Sequence, residues 1–124
     1  MNLAIWDIES SNANTDFGSI IEVGGILVDE NFKEKDRFNL RCRLPEGEIP
    51  QCMALIVNRT SVELLTKANL SHYQMLGELE KIFKKWSPAI FLGWSNIGFD
   101  DEMIRKEFFK GIRYPYITNA SPNK

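Results

Sequence analysis

The apolar and polar positions of the chain change period several times, and each change marks an element. Leu3–Ile8 (LAIWDI) is a short apolar run, long enough for a buried strand and too short for a helix. Ser10–Ser19 is a cluster of turn formers, which predicts a loop. Ile20–Val28 is β-branched and bounded by turn residues, a second strand, with Gly24-Gly25 marking a bulge or a close approach. Asp29-Glu30-Asn31 supplies a turn. Arg37–Leu44 then alternates apolar and basic with period two, as a half-buried strand with a basic outer face does. Three strands joined in sequence order predict an antiparallel meander, ended by Pro45 and Pro50.

Helical spacing follows. Thr60 with Glu63, and Ser71 with Gln74, both have the separation of a capping box. Behind the second, Met75, Leu76, Leu79, Ile82, Phe83 and Trp86 recur on one helical face. Pro88 closes that helix, Ala89–Trp94 is another short apolar strand, and Asp100–Lys110 reads as a helix with Gly111 at its C′ position. Met103, Ile104, Glu107 and Phe108 suit one half-buried face of it. The predicted order is β-β-β-α-β-α, and the strand that returns after the helix should lie parallel to an earlier one.

Composition narrows the class. With 124 residues, 44% hydrophobic and 26% charged, the chain has the make-up of one globular domain and not of a disordered tail, a collagen-like repeat or a disulfide miniprotein. No run approaches the roughly 20 apolar residues of a membrane-spanning helix. The N-terminus MNLAIWDIES lacks the basic start of a signal peptide, so a cytoplasmic protein is expected. Cys42, Cys52 and the single His72 cannot supply a four-ligand zinc site, and the cysteines are expected as free thiols. His72, near the start of a helix, is expected to be exposed.

Charge is uneven. Residues 1–30 hold six acids and no Lys or Arg, whereas residues 31–44 carry five basic residues against two acidic ones. Such segregation suits a cation held beside a polyanion, though differently charged solvated faces would look the same. The candidate chemistry is more specific. Asp7 and Glu9 are two apart on one strand and share a face, while Trp6 and Ile8 point to the other. Paired carboxylates at the end of a buried strand repel each other and resist burial, and a divalent cation offsets both costs. Hard oxygen ligands favour Mg²⁺ or Mn²⁺ over zinc. Asp100 begins a helix just after the fourth strand, where it can cap the helix, aim at the same cation, or do both, with Asp101 and Glu102 left for the helix end.

WDIES, IIEVGGILVDENF, GWSNIGFDDEMIRKEFF and YPY together resemble the DEDD (DnaQ-like) 3′→5′ exonucleases of the ribonuclease H-like fold, and among them most closely the bacterial exonuclease I branch. The resemblance runs from about Leu3 to Tyr116, and its most specific part is Asn96–Glu102 (NIGFDDE). Met53–Leu70 also resembles the family stretch between the third strand and the long helix, except that Arg59-Thr60-Ser61-Val62 replaces its Thr-Gly-Ile. The resemblance implies a mixed α/β sheet and hydrolysis of single-stranded DNA to nucleoside 5′-monophosphates with two Mg²⁺ or Mn²⁺ ions. It implies Asp7, Glu9 and Asp100 as catalytic metal ligands, and Ser10, Asn96, Phe99, Arg105 and Tyr116 as residues near the nucleic acid. The family's third motif, a His or Tyr base followed by a fourth carboxylate, has no counterpart after Tyr116. Residues 1–124 are therefore expected to be the N-terminal part of one such domain, weak or inactive alone, and prone to self-association through an uncovered sheet edge. An inactive ribonuclease H-like module binding nucleic acid or protein, and an oligoribonuclease-like RNA exonuclease, remain the alternatives.

Overall fold

The structure, a computed structural model, describes residues 1–93 and 97–118. Strands β1 (Asn2–Ser10), β2 (Ile20–Val28) and β3 (Glu34–Arg41) are followed by helices α1 (Cys52–Val57), α2 (Val62–Lys67) and α3 (His72–Trp86), then β4 (Ala89–Gly93) and α4 (Ile97–Lys110). One sheet has the order β3-β2-β1-β4. The first three strands are antiparallel neighbours and β4 joins β1 in parallel, which is the predicted mixed α/β arrangement.

Burial alternates along β1. Ala4, Trp6 and Ile8 are buried, whereas Leu3, Ile5, Asp7 and Glu9 lie on the other face. Both long helices pack on the Trp6 face. Met75, Leu76, Leu79, Phe83 and Trp86 of α3 share one core with Met103, Ile104 and Phe108 of α4. Phe83 is its centre, with ring contacts to Trp6, Phe38, Trp86 and Phe91. The close approach foreseen at Gly24-Gly25 is real: a Cβ on Gly25 would come within 2.6 Å of the Phe38 ring. The bulges lie elsewhere, between Glu9 and Ser10 and between Leu27 and Val28.

Several boundaries differ from the sequence expectation. β3 starts and ends three residues earlier, because Glu34–Asp36 join the ladder through their main chain while Cys42 leaves it to bridge Leu70. Helix α1 was not foreseen. The N-cap of α2 is Ser61, whose side chain accepts from the Leu64 N–H, while the Thr60 hydroxyl turns back to the Asn58 carbonyl. The capping box at Ser71 and Gln74 is present in full. Trp94, expected to end β4, lies outside the described residues. Both cysteines are free, and burial together with the charge of Glu107 pushes the Cys42 thiol up to about 12.

The end of α4 is also shifted. Arg113 N–H bonds the Phe108 carbonyl and Ile112 N–H bonds that of Phe109, the paired bonds of a Schellman motif. Its left-handed C′ residue is Ile112, at φ 57°, and not Gly111. A β-branched side chain there is strained, and this one is 96% exposed, so it gains nothing from packing. Ile112→Gly is expected to stabilise the domain by about 1 kcal/mol, seen as a higher urea midpoint.

Candidate active site

The site is built where β1 and β4 end. Asp7 and Glu9 project from the less covered face of β1, and Glu22 of β2 stands directly opposite Glu9 in the ladder. Asp100, in the first turn of α4, is fully buried. Its carboxylate lies over Gly93, where an added Cβ would come within 3.2 Å of Oδ2. Gly93 is the ladder partner of Trp6, so the missing side chain lets Asp100 approach the strand position next to Asp7.

Electrostatics records the convergence. Burial pushes the Glu9 carboxyl above its ordinary value, and the negative charges of Asp7, Glu22 and Asp100 push in the same direction, with Arg41 opposing. Of the six acids in residues 1–30, Asp7, Glu9 and Glu22 meet here, whereas Asp16 pairs with Lys106 and Glu30 with the N-terminus. Glu22 takes part in this cluster as well. It accepts from Arg41 Nη2 at 2.8 Å, and its charge reaches Glu9. The sequence signal that could have found it was the register of β1 and β2, hidden by the long loop between them.

Among the described residues, no group of three or more His, Cys, Asp or Glu side chains is spaced to hold a metal ion. The donor set nevertheless fits a hard divalent cation. It is all carboxylate oxygen, and the charges of Asp7 and Asp100 raise the proton affinity of Glu9, a cost that a bound cation removes. A consequence can be measured without metal. Because the folded-state pKa of Glu9 is raised, its ionisation costs stability as pH rises from the ordinary carboxylate value through the raised one. Glu9→Gln is expected to increase Tm by a few degrees at pH 7 in chelator, and the difference should vanish at a pH below the ordinary carboxylate value.

The candidate nucleic-acid residues fall into two places. Ser10 and Phe99 line one cavity of about 400 Å³ with Asp7 and Glu9, walled on its far side by Met53, Ala54 and Val57 of α1. Ser10 is buried and its hydroxyl donates to the Asn12 carbonyl. Arg105 and Tyr116 line a second cavity of about 320 Å³ with Lys106 and Phe109. Asn96 lies outside the described residues. Asp101 neighbours Arg105 electrostatically, and burial together with Asp100 raises its carboxyl.

His72 departs most from expectation. It is the first residue of α3 and is largely covered, with Nε2 3.0 Å from Oε1 of Glu107, itself only 4% exposed. The same Glu107 oxygen accepts the Ile20 N–H at 2.7 Å. The cavities that His72 lines include neither Asp7 nor Glu9, so it belongs to a buried brace and not to the acidic site.

No family model matches the chain. It is 22% identical over 117 residues to exodeoxyribonuclease I of Buchnera aphidicola subsp. Schizaphis graminum, a match covering 94% of this chain and 24% of that protein. Exonuclease I of Methylocaldum szegediense superposes with a TM-score of 0.84 at 19% identity. Exonuclease I of E. coli, in complex with a dT13 oligonucleotide, does so with a TM-score of 0.84 at 18% identity. Each structural match covers 93% of this chain and 25% of the other. The chain thus spans about a quarter of the length of the relatives it matches. Its fold is that of the N-terminal, ribonuclease H-like region of exonuclease I, as its motifs suggested. No described helix is long and apolar enough to cross a membrane.

Proposed function

We propose that this chain carries the metal-binding half of a 3′→5′ exonuclease that removes nucleoside 5′-monophosphates from single-stranded DNA. The observation that carries the reading is that Glu9 feels the charges of Asp7, Glu22 and buried Asp100 together, beside a cavity that Asp7 and Glu9 line with Phe99. Asp7, Glu9 and Asp100 would hold Mg²⁺ or Mn²⁺, two ions in the complete site. Bound there, the ions supply charge neutralisation at the scissile phosphate and a more acidic water. The chain's own residues do the rest. Ser10 and Phe99 border the terminal nucleotide, the ring of Phe99 offering an apolar surface to a base. Arg105 and Tyr116 follow the strand along α4, a guanidinium for phosphate and a ring for stacking. Asn96, just before α4, is assigned by its motif alone.

Proton transfer from the attacking water needs a base that these residues do not supply. His72 is engaged by Glu107 away from the site. Slow turnover by the 124 residues alone follows from this reading. The same engagement of His72 favours the second reading, a binding module without catalysis. Exposed Ile26, Ile90 and Leu92, with β4 on the sheet edge, support self-association at high protein concentration.

The test is a 5′-labelled single strand with excess protein and Mn²⁺. The reading expects a ladder shortening from the 3′ end, lost with Asp7→Asn and absent with RNA of the same sequence. Binding without shortening selects the module, shortening of RNA selects the oligoribonuclease alternative, and shortening by Asp7→Asn removes the proposed site.

A further inference from the structure

The ladder between β1 and β2 slips between Glu9 and Ser10, although Ser10 still pairs with Ile20 and the Ser11 N–H donates to the Ser19 carbonyl at 2.9 Å. The carbonyls of Ser10 and Ser11 are held from α1. The carbonyl of Ser10 accepts from Nδ2 of Asn58 at 2.8 Å, and that of Ser11 accepts from the N–H of Gln51 at 2.8 Å. Gln51 and Asn58 are the N-cap and C-cap of α1. The helix therefore grips, by its two ends, the two carbonyls that follow Glu9. It has little else to hold it, since none of its six residues is buried and its N-cap side chain makes no capping bond. A helix this short is not stable by propensity.

We infer that Asn58 is a positioning residue. It ties the apolar wall of α1 to the strand that carries Asp7 and Glu9, and so sets the width of the cavity between Met53, Val57 and Phe99. The inference rests on the function proposed above and goes beyond it, because Asn58 is polar, lines the cavity, and yet is assigned no contact with nucleic acid. One of its amide N–H groups is spent on Ser10. The Gln51 side-chain oxygen is likewise spent on the Ala13 N–H, and the Ser10 hydroxyl on the Asn12 carbonyl. Away from Asp7 and Glu9, the α1 side of the cavity and Phe99 offer mainly thioether, methyl and phenyl surface, and the fit of that wall depends on where α1 stands.

Asn58→Ala removes one end of the clamp, leaves the main-chain bond of Gln51 in place and does not alter the carboxylates. Amide hydrogen exchange reads the clamp without any ligand, and faster exchange is expected over residues 9–13 and 51–58 with the α3 core unchanged. Anisotropy of a labelled 3′-hydroxyl dT oligonucleotide in Mn²⁺ reads the consequence, with about a 3–10-fold loss of affinity expected, a size that fits one lost hydrogen bond. The Mn²⁺-dependent rise in Tm should stay at the wild-type value, which separates positioning from ligation. Unchanged exchange over 51–58 overturns the clamp. Affinity within twofold of wild type, with exchange increased, overturns the positioning role alone. Failure of the wild-type protein to retain the oligonucleotide overturns the proposed function and with it the consequence drawn for Asn58.

Discussion

Glu107→Ala is expected to destabilise the domain by about 2–5 kcal/mol, the size expected when two buried donors lose their shared acceptor. The carboxylate is 4% exposed and its Oε1 serves two donors, the Ile20 N–H and the His72 ring. Without it the Ile20 N–H is left unpaired where Cys42 and the core exclude water, and His72 loses its partner. Glu107→Gln keeps an acceptor for Ile20 and should cost less than half as much. Urea melts compare the two. Equal losses from Ala and Gln would mean that the charge matters and the Ile20 bond does not, and a loss below about 1 kcal/mol for Ala would remove the brace from the account.

Phe83→Ala is expected to cost a similar amount, about 3–5 kcal/mol, for a different reason. Phe83 is completely buried, and four other rings surround it: Trp6 of β1, Phe38 of β3, Phe91 of β4 and Trp86 one turn along α3. Rigid rings held by three different strands cannot collapse into the space, so most of the cavity persists. Against the 5–15 kcal/mol typical of a domain, either substitution removes a large fraction of the stability. Phe83→Leu, which fills part of the space, should recover more than half of the loss in the same melts.

These two side chains illustrate what the sequence made legible. Phe83 belongs to an apolar repeat of period 3.6 behind a capping box, and its burial could be read locally. Glu107 sat on a face recognised as half-buried, but its partners are 35 and 87 residues away, and no local pattern announces such a pair. The strands show the same division. Ile20–Val28 is apolar and β-branched but for Glu22 and its two glycines, and its limits were read correctly, whereas Glu34–Asp36 belong to β3 only because main-chain groups of β2 are waiting for them. Helix α1 escaped because CMALIV has no polar face to set a period, and its exposed Met53, Ile56 and Val57 look like core. Local rules misplaced by one residue at Ser61 and Ile112. There two adjacent residues compete for one conformation, and the surrounding fold chooses.

The acidic site divides in the same way. Asp7 and Glu9 were legible as candidates because like charges side by side at the end of a buried strand are costly, and Asp100 through its motif, since a carboxylate that opens a helix is favourable in itself. Glu22 was not, since its place opposite Glu9 depends on strand register across a nine-residue loop. The apolar wall of the cavity was invisible for want of α1.

The central claim, that Asp7, Glu9 and Asp100 jointly receive a divalent cation, is tested most directly by thermal melting in a Mn²⁺ titration. For the wild-type protein, Tm should rise with the logarithm of Mn²⁺ concentration above the dissociation constant, by about 1.4 kcal/mol of stabilisation at ten times that constant. Asp7→Asn and Asp100→Asn should each melt at or above the wild-type temperature in chelator, relieved of repulsion, and should lose most of the Mn²⁺-dependent rise. A rise of undiminished size in both variants would contradict the account.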